Sequence, residues 1–570
     1  MNTMTKKALT SLVFVLAFAV FSTAAFAGIL KHPYMIYPGQ NTEMQVLWQD
    51  DASEATNVIS WGTDSLYSMG TVTVPEYGLA NQHSYTITGL TPNTKYYYQV
   101  ADQTNGVYGT GSFITAPDEN ATAIRFLGLG DSRSQPFALD NMMQAMQNFY
   151  SQPGNEDYQR LVIHNGDWVS TDGESYWTTQ WFDPTKTDIV AFTANSPING
   201  CKGNHDNSGS YPNGKSTYFP KYFPFPYQNA IPAFDPATVQ AYNSLYWSYD
   251  YGPVHFTVVD NYSNLVSGSA QYNWVVNDLA STTKPWKILI YHEPAYSAGS
   301  DGDNSNVRVL EPLVTQYGVD LIYCGHSHNY ARTGAYTLSQ ANGDLIALNV
   351  PHITSGGGGA PIYQPDFTNN GNYPHVITAW PAFEFMTFDV EGKTLTMTAY
   401  QVNSVSTTTI VPVAQLTTSP IETVVLNHFN NVSPQVSVSS TGFLYSRASK
   451  LYTGELTITN NGPDLTGNIH VVLDGILNLQ GIGNADNQYS TTTPKVTSKI
   501  ANKPTTGKGS TDPGLISSVT LVNATGSNNG EPMIQASSNG LAAGTSITIP
   551  LQFSNPNNIK INFNPVTLQE

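Results

Sequence analysis

What most constrains this chain is a pattern repeated five times between Ala123 and His328, in which a short apolar run ends directly in a loop of Gly, Asp, Asn or His. The runs are AIRFLGLGDSR from Ala123, LVIHNGDW from Leu161, INGCKGNHD from Ile198, WKILIYHEP from Trp286 and VDLIYCGHSH from Val319. Strands that are apolar along their whole length are buried on both faces, as in the layered sheets of α/β proteins. With polar residues massed just beyond one end of each strand, such a fold places its site at the strand termini. Residues 138–150 and 271–281 carry apolar side chains at helical spacing and are predicted to cover the sheet.

The flanking segments have a different texture. MQVLWQD from Met44, NVISWG from Asn57 and YYYQVAD from Tyr96 alternate apolar and polar residues between turn formers, which predicts the half-buried strands of a small β-sandwich, with Trp48 in its core. GELTITNNG from Gly454, NIHVVLDG from Asn468 and TSITIPLQFSN from Thr545 predict a second sandwich, interrupted by a loop-rich stretch at 483–514. The expected organisation is an export signal at 1–27, a first sandwich at 28–117, an α/β domain at 118–413 and a C-terminal sandwich at 414–570.

Composition narrows the function. The 41 acidic against 23 basic side chains give a net charge of −18, and the longest cationic run is Lys6-Lys7, so no patch is expected that could displace counterions from a nucleic acid. Only 11% of residues are charged, which favours strands and turns over long exposed helices. The two cysteines, Cys201 and Cys324, exclude a disulfide scaffold, and each abuts one of the five loops. Buried thiols are expected there, with a single bridge between them left open. Lys6 and Lys7, the apolar stretch SLVFVLAFAVF and the small-residue pattern Ala25-Phe26-Ala27 read as a cleaved signal, too short for an anchor. The expected destination is the periplasm or the exterior, with no membrane span left in the mature chain.

The loops supply Asp131, Asp167, Asn204, His292, His326 and His328. Carboxylate, amide oxygen and imidazole together suit Zn, Fe, Mn or Co. Of the other histidines, His32, His83, His164, His255, His428 and His470 sit within strand patterns and are expected to be structural, while His352 and His375 are candidates for orienting a ligand.

In order and flanks the five motifs resemble those of the calcineurin-like metallophosphoesterases, and residues 30–400 resemble purple acid phosphatases. The phrases YFPFPYQ from Tyr222, LYWSYDYGPVHFTVVD from Leu245 and GHSHNYAR from Gly325 support this, and Gly89 to Tyr96 resembles the tyrosine corner of a fibronectin type III domain. The resemblance implies a layered α/β/β/α core and two divalent or trivalent ions bridged by Asp167. Asp131 and His328 would complete the first metal site, and Asn204, His292 and His326 the second. It further implies hydrolysis of a small phosphate ester by a metal-bound hydroxide, with His205 near the leaving group and Asp206 as its partner.

Two positions depart from the family. Where metallophosphoesterases carry the His of an Asp-x-His motif this chain has Arg133, and where purple acid phosphatases carry a Tyr three residues after the bridging Asp it has Ser170. Neither substitutes well as a ligand, because Arg stays cationic and a neutral hydroxyl binds weakly. Three outcomes are open for the first site: water fills the gap, Asp172 or Glu174 does, or only the second ion binds well. Arg133 is then either a partner for substrate phosphate, and so part of the catalytic set with His205 and Asp206, or one half of a structural salt bridge. A binding or scaffold protein built on a metal-depleted version of the same fold is the alternative to an enzyme. The run Gly356 to Gly359 is expected to let backbone approach the site, since no Lys-Ser or Lys-Thr of a nucleotide loop follows it.

Overall fold

The computed structural model describes residues 28–51, 56–78, 80–103, 106–299, 302–334, 336–339, 345–348, 350–365, 376–474, 496–497, 519–528, 531–555 and 561–570. The export signal, the 483–514 stretch apart from Val496–Thr497, and His375 lie outside the described residues.

The first sandwich pairs Ile29–Ile36, Met44–Asp50 and Gln82–Ile87 in one sheet and Gly70–Thr73, Asn57–Gly62, Lys95–Asp102 and Gly106–Ile114 in the other. Along Lys95–Asp102 every second residue is buried, so Tyr96, Tyr98 and Val100 meet Val46, Trp48 and Ile59 in one core. Trp48 is fully buried and its Nε1 donates to Asn57 Oδ1 at 2.7 Å. The Tyr96 hydroxyl accepts a hydrogen bond from the Thr91 amide at 2.9 Å, the tyrosine corner expected from the sequence.

Two sheets form the middle of the molecule. One runs in the order Ile198–Gly200, Val162–His164, Ala123–Leu129, Glu384–Glu391, Thr394–Val402, Thr418–Asn427. The other runs Trp247–Tyr251, Val254–Val258, Trp286–Ile290, Leu321–Cys324, His352–Ser355, Tyr330–Thr333, Val376–Trp380. The sheets meet face to face: the Phe126 ring stacks on Phe388 at 4.7 Å and takes the Phe256 ring edge-on at 5.4 Å. Helix Pro136–Tyr150 adds Leu139, Met142, Met143 and Met146 to this core. On the far side, Val275 and Leu279 of helix Ala270–Ser281 pack with Leu289, Ile322 and Cys324. The layers are therefore α/β/β/α. All five motif strands lie in parallel stretches, and their C-terminal ends bring the five loops to one edge.

One boundary moves. Strand Thr418–Asn427, which the sequence places in the C-terminal sandwich, is hydrogen-bonded along its length to Thr394–Val402. Glu422 in this strand accepts a forked pair from Arg332 Nε (3.0 Å) and Nη2 (2.6 Å) in the opposite sheet. Alternation shows that a segment is a strand but carries no information about which sheet it joins. The C-terminal sandwich proper begins near Asn430, with Phe443, Leu456, Leu551, Phe553 and Phe563 at its centre.

Candidate metal centre

The loops at the sheet edge are held in unusual backbone conformations. Asp131, Asp167 and His326 have φ of +52°, +57° and +69°, a left-handed region that side chains with a Cβ seldom adopt and that costs on the order of 1 kcal/mol each. Such outliers persist where surrounding contacts over-determine them. Here the Asp131 amide donates to Gly166 O at 3.0 Å, the His205 amide to Asp167 Oδ1 at 2.9 Å and the His326 amide to Asp131 Oδ2 at 2.8 Å. Each motif therefore positions the donor of another. A Cβ on Gly203 would lie 2.0 Å from Asp167 Oδ1, so only glycine fits there. The Gly356 to Gly359 run lies against these loops: the Gly358 amide bonds to Gly130 O at 2.9 Å, as expected of backbone that approaches the site.

The six donors converge. His292 Nε2 lies 3.2 Å from Asp167 Oδ1 and 3.1 Å from Asn204 Oδ1, and His326 Nδ1 lies 3.0 Å from the same Asn204 oxygen. Asp131, Asp167 and His292 each offer a ligand atom within 4.8 Å of the others. His328 Nε2 lies 3.5 Å from Asp131 Oδ1, a buried oxygen with no hydrogen-bond partner among the described residues. His292 Nδ1 faces Asn165 O at 2.9 Å. A carbonyl only accepts, so Nδ1 carries that proton and Nε2 turns its own valence toward oxygens. Nitrogen and oxygen acceptors facing one another in a buried site require a cation between them, a proton or a metal. Burial opposes ionisation of Asp167, but His292, then His205 and Arg133, hold its carboxyl well below the ordinary range. Burial likewise opposes charge on His292, and Asp167 outweighs it, raising the imidazole to about 10.

His205 is half-buried beside this group, its Nδ1 donating to Ser170 O at 2.7 Å, which leaves Nε2 as the ring atom for chemistry. Arg133 Nε donates to Asp167 Oδ2 at 2.9 Å and Nη2 lies 3.2 Å from His328 Nε2. Asp206 is not at the reacting edge. Fully buried, it accepts from the amides of Trp168 (3.0 Å), Val169 (3.2 Å) and Gly203 (2.8 Å), tying the Asp167 loop to the Asn204 loop. Burial and then the charge on Asp167 push its carboxyl up to about 8. Asp172 is likewise committed elsewhere, to the amides of Tyr218 and Phe219, and Glu174 to Lys31 and Lys221. Neither is free to complete the first site. His352 pairs with Glu311 at 3.2 Å, and Cys201 and Cys324 are free buried thiols.

Asn165 was not singled out from the sequence. Its Nδ2 donates to Cys324 O (2.7 Å) and Ser355 O (2.9 Å), so it joins the two sheets directly beneath the donors. The available signal was an Asn between a buried strand and Gly-Asp. Glu384, buried under the glycine run and bonded to Ser355 Oγ (2.9 Å) and the Gly357 amide (3.1 Å), had no motif to mark it.

Residues 124–330 match the family model described as calcineurin-like phosphoesterase, and residues 31–115 match the purple acid phosphatase N-terminal domain. The chain carries a calcineurin-like phosphoesterase domain. Among curated proteins it is similar to purple acid phosphatase 21 of Arabidopsis thaliana, 27% identical over 264 residues that span 45% of this chain and 54% of that one. Purple acid phosphatase 15 of the same plant is 23% identical over 49% of this chain and 53% of its own length. Probable inactive purple acid phosphatase 1, also from Arabidopsis thaliana, is 26% identical over 60% and 66%. The chain thus spans about half the length of the first two relatives. Solved structures agree in fold: purple acid phosphatase PPD1 from yellow lupin (Lupinus luteus) seeds has a TM-score of 0.51 at 20% identity, covering 66% of this chain and 72% of that one. PhoD has a TM-score of 0.54 at 13% identity, covering 71% and 91%. The calcineurin-like phosphoesterase family uses a dinuclear metal centre, and the donor cluster lies where the five motifs of this domain meet.

Proposed function

We propose that the protein is an exported, metal-dependent phosphoesterase that hydrolyses phosphate esters of small molecules. The observation that carries this reading is the buried run of contacts from Asp167 Oδ1 to His292 Nε2 (3.2 Å), to Asn204 Oδ1 (3.1 Å), to His326 Nδ1 (3.0 Å). These four residues would hold a divalent or trivalent ion, and Asp131, with its unpartnered oxygen, lies within reach. When bound, such an ion supplies Lewis acidity toward phosphate oxygens and lowers the pKa of a bound water. His205, anchored through Nδ1, is placed to hold a proton at Nε2 and deliver it to a departing alkoxide. Arg133 supplies fixed positive charge beside the Asp167 carboxylate. Asp206 serves by positioning the two loops.

The test is release of inorganic phosphate by the mature protein from a panel of mono- and diesters with Zn, Mn, Fe or Co supplied. Turnover that falls in Asn204→Ala and His292→Ala supports the enzyme. No release with any metal rejects it in favour of a binding or scaffold role, which the pairing of Arg133 with two ligand positions also fits. Export is checked separately, by finding the mature chain without residues 1–27 outside the cytoplasm.

A further inference from the structure

We propose that the guanidinium of Arg133 takes the place of the first ion, so that this centre holds one metal ion, on Asp167, Asn204, His292 and His326. The inference rests on the phosphoesterase reading and concerns how many ions that site takes. Of the atoms the resemblance assigns to a first ion, two are already engaged by one cation: Arg133 Nε donates to Asp167 Oδ2 at 2.9 Å, and Nη2 lies 3.2 Å from His328 Nε2.

The second contact is a hydrogen bond of defined sense. His328 Nδ1 lies 2.7 Å from Pro361 O, which only accepts, so Nδ1 carries the ring proton and Nε2 offers its lone pair to the arginine. That lone pair is the one a metal would need. Arg does not surrender its proton in the physiological range, so the guanidinium does not yield to a metal by deprotonating. It is also fixed in place, with Nη1 3.1 Å from Ser134 Oγ and a side chain only 14% exposed.

The donors that would make up a first coordination sphere are missing or spent. Ser170 Oγ lies 2.9 Å from Ser134 Oγ and 3.0 Å from Gln180 Oε1, so the hydroxyl is held in a neutral network. Asp172 and Glu174 are bound to amides and lysines elsewhere. The other half of the centre is the reverse. Asp167 Oδ1, His292 Nε2, Asn204 Oδ1 and His326 Nδ1 follow one another at 3.2, 3.1 and 3.0 Å, and among the described residues no arginine or lysine bonds to any of them. The Asp167 carboxylate is thus divided: Oδ2 is neutralised by an organic cation that carries no exchangeable water, and Oδ1 is left to a metal. Asp131 offers a carboxylate oxygen within 4.8 Å of the Asp167 and His292 ligand atoms, and its Oδ1, 3.5 Å from His328 Nε2, has no hydrogen-bond partner among the described residues.

The experiment is manganese stoichiometry with electron paramagnetic resonance on the whole mature chain, incubated with excess Mn(II) and freed of unbound ion. One Mn per chain with an uncoupled spectrum is expected. Arg133→His, which removes the cation and supplies an imidazole at the Asp-x-His position, is expected to bind two with an exchange-coupled spectrum. His328→Ala is expected to keep its one ion at unchanged affinity, and Asn204→Ala to lose it. Two coupled Mn ions in the unaltered chain overturn the inference while leaving the phosphoesterase reading intact. No bound Mn together with no phosphate release overturns both. A folded Arg133→His that still takes one ion also overturns it. If that variant fails to fold, His328→Ala decides alone, since loss of its ion would place the metal on the side assigned here to arginine.

Discussion

Asn204 supplies the oxygen that both imidazoles face, its Oδ1 lying 3.1 Å from His292 Nε2 and 3.0 Å from His326 Nδ1. Asn204→Ala removes the oxygen on which both rings converge. Metal affinity is expected to fall by at least about 100-fold, read by titration with Mn(II), with little change in thermal stability of the metal-free chain. Asp206 predicts the opposite profile. Its carboxyl oxygens satisfy three buried amides, and Asp206→Ala strands them, at a cost of about 3 kcal/mol in chemical denaturation. Two adjacent residues of one motif thus differ in setting: Asp206 is fully buried and ties loops together, while His205 is half-buried beside the donors. Their spacing along the chain gave no hint of this, since burial distinguishes them and burial is a property of the fold.

At the scale of elements, His255 links strand Trp247–Tyr251 to helix Ala270–Ser281. Its Nδ1 bonds to Asp250 Oδ1 at 2.7 Å and its Nε2 to Asp278 Oδ2 at 2.9 Å. Burial alone would lower the imidazole, but the bonds to Asp250 and Asp278 outweigh it and raise it to about 9. A pKa raised above the ordinary 6.5 stabilises the fold fully below pH 6.5, and that stabilisation is lost as pH rises through about 9. On the order of 2 kcal/mol is expected to disappear over this interval, and His255→Gln should remove the pH dependence. A denaturation series between pH 6 and 10 checks both statements. The sequence marks His255 as structural, from its place inside an apolar strand. Its two carboxylate partners were illegible there, because one comes from the neighbouring strand and the other from a helix.

Across the whole molecule, strand Thr418–Asn427 decides where the central sheets end. It buries Val424 and Leu426 in the shared core and fastens Arg332 of the opposite sheet through Glu422. A chain ending at Val413 loses this edge and is expected to be insoluble or molten, whereas one ending at Phe429 retains the sheet. Circular dichroism and melting of the two truncations test this, and equal stability would count against it. The phrase GHSHNYAR shows how far sequence reaches: its histidines were legible as candidate ligands because their chemistry is local, while the partner of Arg332 lay 90 residues further on. The sequence by itself determined the five buried strands, the edge at which their loops gather, the six candidate donors and the departure at Arg133, since hydrophobic run length, loop composition and ligand chemistry are all written along the chain. Only the tertiary structure decided which oxygen of Asp167 meets the arginine, which nitrogen of His328 is spent on it and which sheet takes the last strand. Those are matters of direction and distance between segments far apart in sequence, set by the packing of two sheets against one another.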